Sequence, residues 1–387
     1  MKQQVLMPSY WSKFSCIASK CEETCCAGWY IAIDEVTYKK YKKVKHPEMK
    51  KRLDKELVLR KGAVSKECIA KIKLKNNRCA FLGKDDLCDI YRNLGESYLS
   101  ETCKVYPRNV NLVGECKELS IALSCPEAAR VVLLQKEPIT FTIQEDTEHL
   151  PIVGGSLNIS SKAYKHFEDA LLPMRNMLMG ILQNREISFV ERMRQLGQAF
   201  SSLDLFKKKQ DMKGLIAFLE GHNKMPKVKE KSLYIEATEE EMKAYWQVLI
   251  KMHDKKKWPS ATHEACYSQM VRGLSKHPEE AVWSSEKYEE AIKYFYEVVL
   301  DKWAYIFENY FVSYIYERLV PLDQATVKES FEALQLYFKL FMLYIIGIYL
   351  DKGSIDETDI LLCIQSFTRV FDHNELCKEQ FKKLIAD

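Results

Sequence analysis

The uneven placement of cysteine constrains this chain more than any other feature of its sequence. Of 13 cysteines in 387 residues, ten lie between Cys16 and Cys125. The first residues, MKQQVLMPSYWSKFSC, contain no apolar stretch typical of a secretion signal, so a cytoplasmic protein is expected. Because a reducing cytosol disfavours disulfides, clustered thiols in such a protein more often bind a metal. The sequence therefore predicts a metal-binding region in the N-terminal third.

Separated sequence blocks carry the cysteines that we consider as metal ligands. The blocks are Cys16-x4-Cys21-x3-Cys25-Cys26-Ala-Gly-Trp, Cys79-Ala-Phe-Leu-x5-Cys88-Asp-Ile-Tyr, Cys103-x2-Tyr-Pro-Arg and Ser124-Cys125-Pro-Glu. Thiolates donate strongly to soft and borderline metals, and a site of about four thiolates suits zinc and an iron–sulfur cluster equally well. The eight thiols of these blocks exceed that number, so either two sites exist or several of these cysteines are packing residues.

The remaining cysteines are expected to pack as small apolar side chains. Cys68 and Cys116 fall outside the block pattern, and Cys266, Cys363 and Cys377 lie in amphipathic runs. A lone buried cysteine usually behaves as a small hydrophobic residue. We therefore do not assign these side chains to a metal site.

The distribution of apolar residues predicts a mainly α-helical protein with two parts. We expect a cysteine-rich α+β metal-binding domain over 1–135, a linker over 136–160, and an all-helical domain over 161–387. Helical periodicity is found in the runs 161–183, 187–220, 238–253, 261–276, 286–319, 324–351 and 356–385. The longest apolar run, from Leu340 to Leu350, is about half the length that a membrane span needs, so we expect a buried helix and no membrane.

The N-terminal part carries local signals for both helices and strands. Asp34 is placed to cap a helix that starts at residue 35. Apolar and basic residues alternate over 69–75, Asn76-Asn77 signals a turn, and a returning strand follows from Arg78. A hairpin is expected around Gly114, and Pro126 is expected to open a helix. These signals predict that the N-terminal part contains both helices and strands, an α+β structure.

One segment is strongly basic. The stretch from Tyr38 to Lys75 holds fifteen Lys or Arg residues against four Asp or Glu, in a chain of net charge +4. Such a block could contact an acidic protein or a nucleic acid. The alternative, which we favour, is that the charges cover solvated helix faces. Nucleic-acid binding is therefore not expected.

The cysteine blocks, in this order, resemble those of the flagellin lysine-N-methylase family. The first three are also similar to blocks of small bacterial proteins described as zinc- or iron-chelating. The segment Glu308-Asn-Tyr-Phe-Val-Ser-Tyr-Ile-Tyr resembles a block of the methylases that the smaller proteins lack. The resemblance therefore extends over most of the chain.

The resemblance implies methyl transfer from S-adenosylmethionine to lysine ε-amino groups of flagellin, with an associated [4Fe–4S] cluster. Zinc is the alternative metal. Within the methylase-like block, Glu308 could hold the lysine or accept its proton, Asn309 could orient a polar group, and Tyr310 could offer a ring face. The alternative for all three residues is a helix turn that satisfies its own interior.

Some sequence features depart from better-known methyltransferases. A Gly-rich loop after a strand is not found, since Val153-Gly-Gly-Ser lacks the spacing. The Cys-x3-Cys-x2-Cys pattern of radical enzymes is not found either, because Gly28 stands where its third thiol would be. The donor pocket and the choice between polar and radical transfer stay open. The runner-up function is a non-catalytic metal-binding or metal-chelating protein whose helical half docks a partner.

Overall fold

The fold was analysed in a computed structural model. It describes residues 3–28, 31–60, 66, 68–147, 150–151, 154–160, 164–221, 237–255 and 260–371. Within these residues helices predominate, and the strands are concentrated in the first 160 residues. The expected order, a mixed α/β region followed by helices, is therefore confirmed.

The strands of the described residues form three sheets. They are β1 (Gln4–Pro8), β2 (Ala32–Ile33), β3 (Leu57–Leu59), β4 (Ala70–Ile72), β5 (Leu74–Lys75), β6 (Arg78–Cys79), β7 (Arg108–Val113), β8 (Cys116–Ile121), β9 (Phe141–Glu145) and β10 (Ser156–Leu157). The largest sheet has the order β10-β7-β8-β1-β9. The smaller ones have the orders β2-β4-β3 and β5-β6.

The helices alternate with the strands at first and then follow one another without interruption by strands. They are α1 (Glu35–Lys42), α2 (Pro47–Glu56), α3 (Asp89–Leu94), α4 (Glu101–Val105), α5 (Pro126–Leu133), α6 (Leu171–Leu182), α7 (Phe189–Lys209), α8 (Met212–Leu219), α9 (Glu239–Lys255), α10 (Ala261–Leu274), α11 (Ser285–Tyr294), α12 (Leu300–Glu317), α13 (Val327–Lys352) and α14 (Glu357–Phe371). A π-helical segment, Phe295–Val299, joins α11 to α12. The predicted run 356–385 is described only as far as Phe371.

Local signals in the N-terminal part form the expected elements. The Asp34 carboxylate accepts a hydrogen bond from the Thr37 amide at 2.8 Å, which caps α1. Asn76 and Asn77 have φ angles of 50° and 62° in the turn between β5 and β6, a conformation that asparagine tolerates well. Pro126 occupies the first turn of α5. The predicted cap, turn and helix start are confirmed.

The five-stranded sheet joins parts of the chain that are far apart in sequence. Strand β1 lies parallel to β8, with Gln4 opposite Cys116, and antiparallel to β9, with Gln4 opposite Glu145. Strands β9 and β10 belong to the segment 136–160. This segment, expected to be a linker, therefore completes the sheet on both edges.

Buried apolar residues form two separate cores. The smaller core includes Ile33, Tyr41, Leu53 and Phe81, and its residues fall between positions 31 and 90. The larger core runs from Val5 in β1 through the helices to Phe371. Strands β1 and β8 therefore share a core with the helical region, and the boundary at residue 135 stays a prediction.

Helix α13 lies at the centre of the larger core. In the described residues it has the length and apolar composition of a membrane span, yet 72% of its most apolar 18-residue window is buried inside the protein. The residues from Leu340 to Ile348 are all buried. The prediction of a buried helix for the longest apolar run is confirmed.

The basic segment covers α1 and α2 with exposed charges. Lys39 pairs with Glu35 one turn away, and Lys42 and Lys50 both contact Asp54. These side chains are largely solvated, so each pair contributes little stability. This arrangement favours the interpretation of solvated helix faces.

Candidate functional site

Four of the motif cysteines pack against the smaller core. They are Cys26, Cys79, Cys88 and Cys103. The amide of Cys79 donates to the carbonyl of Cys26 at 2.8 Å, which joins the first block to the second. Cys88 precedes α3, and Cys103 lies in α4, where its amide donates to the Ser100 hydroxyl at 3.3 Å. Short elements around one core therefore gather thiols from three blocks.

The motif thiols also act on one another electrostatically, with Cys25 at the centre. Burial, with the Cys25 charge adding to it, raises the pKa of Cys79, Cys103 and Cys125 to about 11, 12 and 11. The same causes raise the pKa of Cys21 and Cys88. The charge of Cys16 contributes to the shift at Cys21. We call the eight predicted ligands the thiol cluster, and their convergence on one site stays a prediction.

The thiols of Cys25 and Cys26 form a hydrogen-bonded pair and differ in acidity. A hydrogen bond from Cys26, with the positive charge of Arg369 adding to it, lowers the pKa of Cys25 to about 7. The same hydrogen bond, together with burial, raises the pKa of Cys26. Cys25 is solvent-exposed, whereas Cys26 is half-buried. Cys25 is therefore the thiol of this pair that ionises more readily.

A bound metal ion requires several ligand side chains at short distances from one point. Among the described residues, no three His, Cys, Asp or Glu side chains stand in an arrangement that could hold a metal ion. The cysteine chemistry suits a metal, but the present arrangement is not a ligand set for zinc or for a [4Fe–4S] cluster. The role of the eight cysteines as ligands stays a prediction.

The loop that carries the first cysteines is attached to the helical region by polar contacts. Arg369 of α14 donates to the carbonyl of Thr24 at 2.5 Å, and its Nε lies 3.5 Å from the Glu23 carboxylate. Glu23 also accepts a hydrogen bond of 2.7 Å from Ser260, the cap of α10. Arg130 of α5 pairs with Glu22. We call these contacts the loop anchor.

Glu308, predicted to be catalytic, lies in the interior. Its side chain is fully buried, and its carboxylate accepts hydrogen bonds from Arg185 at 2.9 Å and from Arg192 at 2.8 Å. Two guanidinium groups thus hold both carboxylate oxygens and join α12 to α7 and to the segment that precedes α7. These contacts favour an interior ion pair over a base that faces a substrate.

Asn309 connects α12 to the end of α5. Its side-chain amide donates to the carbonyls of Leu133 and Gln135, at 3.1 and 2.7 Å. Because these carbonyls lie at the C-terminal end of α5, Asn309 satisfies acceptors that have no partner within that helix. Cys125 stands at the other end of α5. Asn309 therefore holds a helix that begins at a motif cysteine.

Tyr310 differs from its two predecessors because it lines a cleft. The cleft lies between the end of α12 and the segment that joins β8 to α5. The cleft is small, with a volume of about 20 Å³, enough for about one water molecule. Its lining residues are Ala122, Leu123, Ser124, Tyr310, Tyr314, Glu317 and Arg318. Tyr310, one of the three predicted catalytic residues, thus lines a small cleft although its side chain is buried.

The sequence interpretation missed the residues that connect the two parts of the chain. Arg369 and Glu23 carry the loop anchor; Glu23 stands inside the first cysteine block, between Cys21 and Cys25, and Arg369 stands in no recognisable motif. Glu317 follows the methylase-like block directly, and its spacing of seven residues from Tyr310 places both on one helix face. This spacing is a signal that could have included Glu317 among the candidates.

Comparison with known proteins assigns the chain to a family. The model of the FliB lysine N-methylase C-terminal domain matches residues 175–387, more than half of the chain. The match begins within α6 and extends through α14, including Glu308 and the α12 side of the cleft. The chain therefore belongs to the FliB lysine N-methylase family.

Individual relatives share part of this sequence. A lysine-N-methylase of Salmonella typhimurium is 31% identical over 143 residues, which are 37% of this chain and 35% of that protein. The flagellar biosynthetic protein FliU of Salmonella muenchen is 32% identical over 129 residues, which are 33% of this chain and 76% of that protein. The match thus spans about a third of the length of the lysine-N-methylase. No solved structure matches the chain.

Proposed function

We propose that this protein methylates surface lysine ε-amino groups of flagellin with S-adenosylmethionine as the methyl donor. The observation that carries the proposal is the family match over residues 175–387. The name of the relative FliU, a flagellar biosynthetic protein, supports flagellin as the acceptor. The cytoplasm, expected from the sequence, is the compartment that we propose for the reaction.

The transfer requires a neutral amine. In the polar form of the reaction, the lone pair of the lysine nitrogen forms a bond to the donor methyl carbon. The carbon–sulfur bond breaks, and its electron pair stays on the sulfur. The methylated ammonium then loses its extra proton to water. The protein must therefore hold a lysine side chain and allow its deprotonation.

We further propose that the thiol cluster holds a metal centre, a [4Fe–4S] cluster or, alternatively, zinc. The packing of Cys26, Cys79, Cys88 and Cys103 around the smaller core supports this proposal. No step of the methyl transfer is assigned to the metal. The same observation favours the second candidate function, a metal-binding protein without catalysis.

The test combines metal analysis with a transfer assay. Protein purified without oxygen is analysed for iron, acid-labile sulfide and zinc. It is then incubated with purified flagellin and S-adenosylmethionine carrying a labelled methyl group. Label on flagellin lysines, located by mass spectrometry, is the expected result. Stoichiometric zinc together with no labelled lysine would overturn the methylase proposal in favour of the metal-binding protein.

A further inference from the structure

Arg108, the last residue of the third cysteine block, is held between two aromatic rings. It is the first residue of β7, and its guanidinium carbon lies 5.2 Å from the ring centroids of both Trp11 and Phe14. Both rings are buried in the larger core. Because aromatic faces attract a guanidinium and these two rings are fixed by packing, they hold the Arg108 cation in one place.

This cation has no carboxylate partner among the residues that the structure describes. Three other described arginines lie over an aromatic ring, and each pairs with a carboxylate: Arg52 with Asp89, Arg175 with Glu118 and Arg192 with Glu308. The Nε atom of Arg108 is enclosed, yet no described acceptor contacts it. Arg108 therefore offers hydrogen-bond donors that the described part of the chain does not use.

The unused donors of Arg108 suit a carboxylate. Of its guanidinium nitrogens, Nε alone is both enclosed and unpaired, so the two terminal nitrogens remain accessible from solvent. A guanidinium presents its N–H groups as a planar fork that matches the two oxygens of a carboxylate. The rings on one side also exclude water, which strengthens a charged hydrogen bond. Arg108 is thus a prepared partner for a planar anion.

The position of Arg108 brings it to segments that carry three of the cysteine blocks. It belongs to the third block itself, and strand pairing puts it opposite Ile121, four residues before Cys125. Its ring partner Phe14 stands two residues before Cys16. An anion bound by Arg108 would therefore lie next to the region in which a metal centre is proposed.

We infer that Arg108 binds the carboxylate of the methyl donor, the one anionic group of S-adenosylmethionine, while Trp11 and Phe14 fix the orientation of its guanidinium. The inference rests on the proposed function, since it names a residue of the donor site. The donor supplies the methyl group when it is bound. Arg108 acts by binding and orienting the donor, and it takes no part in the formation or cleavage of a bond.

Donor binding can be measured without catalysis. S-adenosylhomocysteine, the donor without its methyl group, and its carboxamide, in which a neutral amide replaces the carboxylate, are titrated into the full chain by calorimetry. The wild type is expected to bind the carboxylate compound at least about tenfold more tightly, the difference that one charge-assisted pair provides. Arg108→Gln should bind both compounds alike. Arg108→Lys, which keeps the charge but not the planar fork, should keep part of the preference.

A third ligand and a matched variant separate the loss of charge from a loss of structure. Methylthioadenosine keeps the nucleoside but has no carboxylate, so the wild type and Arg108→Gln should bind it alike. Arg272→Gln removes an exposed guanidinium of α10 and should bind all three compounds as the wild type does. If Arg108→Gln instead bound all three compounds more weakly in equal proportion, Arg108 would have a structural role and the inference would be wrong.

The outcomes distinguish this inference from the proposed function. If Arg108→Gln prefers the carboxylate compound as strongly as the wild type does, Arg108 is not its partner, even where flagellin is methylated. If the preference depends on Arg108 and flagellin receives no methyl group, the carboxylate site stands and the methylase proposal fails. A wild type that binds neither compound, or binds both equally, would overturn the carboxylate site.

Discussion

For Glu308, an interior role and a catalytic role predict opposite effects of a substitution on stability and on activity. We expect Glu308→Gln to lower the free energy of unfolding by about 3 kcal/mol, because it leaves the buried guanidinium of Arg192 without its charge partner. Urea denaturation measures this change. Activity per folded molecule should change little, since the carboxylate is fully buried.

A matched variant checks this interpretation of Glu308. Glu332 of α13 lies in an exposed pair with Lys328, so Glu332→Gln should alter stability by less than about 0.5 kcal/mol. Normal stability of Glu308→Gln, combined with lost methyl transfer, would instead restore the catalytic role predicted from the sequence.

His263 makes stability depend on pH. It is completely buried between Tyr344, whose hydroxyl lies 3.1 Å from Nε2, and Ser366, whose hydroxyl lies 3.4 Å from Nδ1. Burial, with the charge of His253 adding to it, lowers the pKa of His263 from 6.5 to about 3. In this interval the unfolded chain binds a proton that the folded chain excludes. Stability should therefore fall as the pH decreases below 6.5, by up to about 1.4 kcal/mol per pH unit.

The contribution of His263 can be isolated with a variant that does not titrate. His263→Gln removes the ionisable ring, whereas all other titrating groups remain. Between about pH 6.5 and pH 5, the wild type should lose about 2 kcal/mol more stability than the variant. Urea unfolding at both pH values measures the difference. Parallel losses in the two proteins would show that His263 does not contribute.

Sequence reasoning was most successful where a residue acts on its own backbone. Asp34 caps the helix that it precedes, and Asn76 and Asn77 form the turn that their side chains favour. The partners of Glu308 could not be predicted in this way. Arg192 lies 116 positions away, and its approach depends on how α7 packs against α12.

At the scale of elements, helices α10 and α13 cross in close contact at two glycines. A Cβ atom at Gly347 would lie 2.6 Å from the Met270 Cα atom, and one at Gly273 would lie 2.0 Å from the Gly347 carbonyl oxygen. Backbone atoms cannot move aside as a flexible side chain can. Gly347→Ala should therefore destabilise the protein by about 1–3 kcal/mol, as measured by denaturant unfolding.

A glycine-to-alanine substitution in α6 should have the opposite effect on stability. Gly180 lies in α6, and a Cβ atom there would meet no other atom within 4 Å. Gly180→Ala should stabilise the protein by about 0.5–1 kcal/mol, because alanine favours the helix. A neutral Gly347→Ala variant would mean that the helices can separate at the crossing without loss.

Periodicity predicted the helices well because each buries a stripe of its own residues. The run expected over 238–253 corresponds to α9 (Glu239–Lys255), and the run over 261–276 corresponds to α10 (Ala261–Leu274). Strand β1 was not predicted, although its residues Gln4–Pro8 are central to the largest sheet. Its partners β8 and β9 lie more than 100 positions away, and local sequence carries no signal for such pairing.

For the whole molecule, the loop anchor links the thiol cluster to the helical region. We expect Arg369→Ala to release the segment 16–28, because it removes the contacts with Thr24 and Glu23. Amide hydrogen exchange in this segment should become at least about tenfold faster, as loss of a charge-assisted hydrogen bond predicts. Exchange in α10 and α13 should stay unchanged.

Two further variants test whether the geometry of Arg369 matters. Arg369→Lys keeps the charge but not the planar fork, so it should restore part of the protection. Arg272→Ala removes an exposed pair with Asp351 and should leave the segment 16–28 unaffected. Wild-type exchange in Arg369→Ala would show that other contacts hold the loop.

The organisation of the whole chain could be predicted only in part. The change from mixed structure to helices follows from periodicity, and the grouping of cysteines follows from their spacing. Strands β1 and β8 share a core with the helices because of tertiary packing. Apolar residues such as Val5 and Leu119 do not indicate in the sequence which core they join. The cleft could not be predicted either, because Ser124 and Tyr314 meet only when α5 packs against α12.

The loop anchor also determines the order in which the chain can close during its synthesis. Thr24 leaves the ribosome early, whereas its partner Arg369 lies 345 residues later. The Leu6 carbonyl likewise accepts a hydrogen bond from Tyr316, which lies 310 residues later in the chain. Since a chain emerges from its N-terminal side, the contact between Thr24 and Arg369 can form only after α6 to α13 have been made. The loop of the first cysteines therefore gains this anchor only when α14 has emerged.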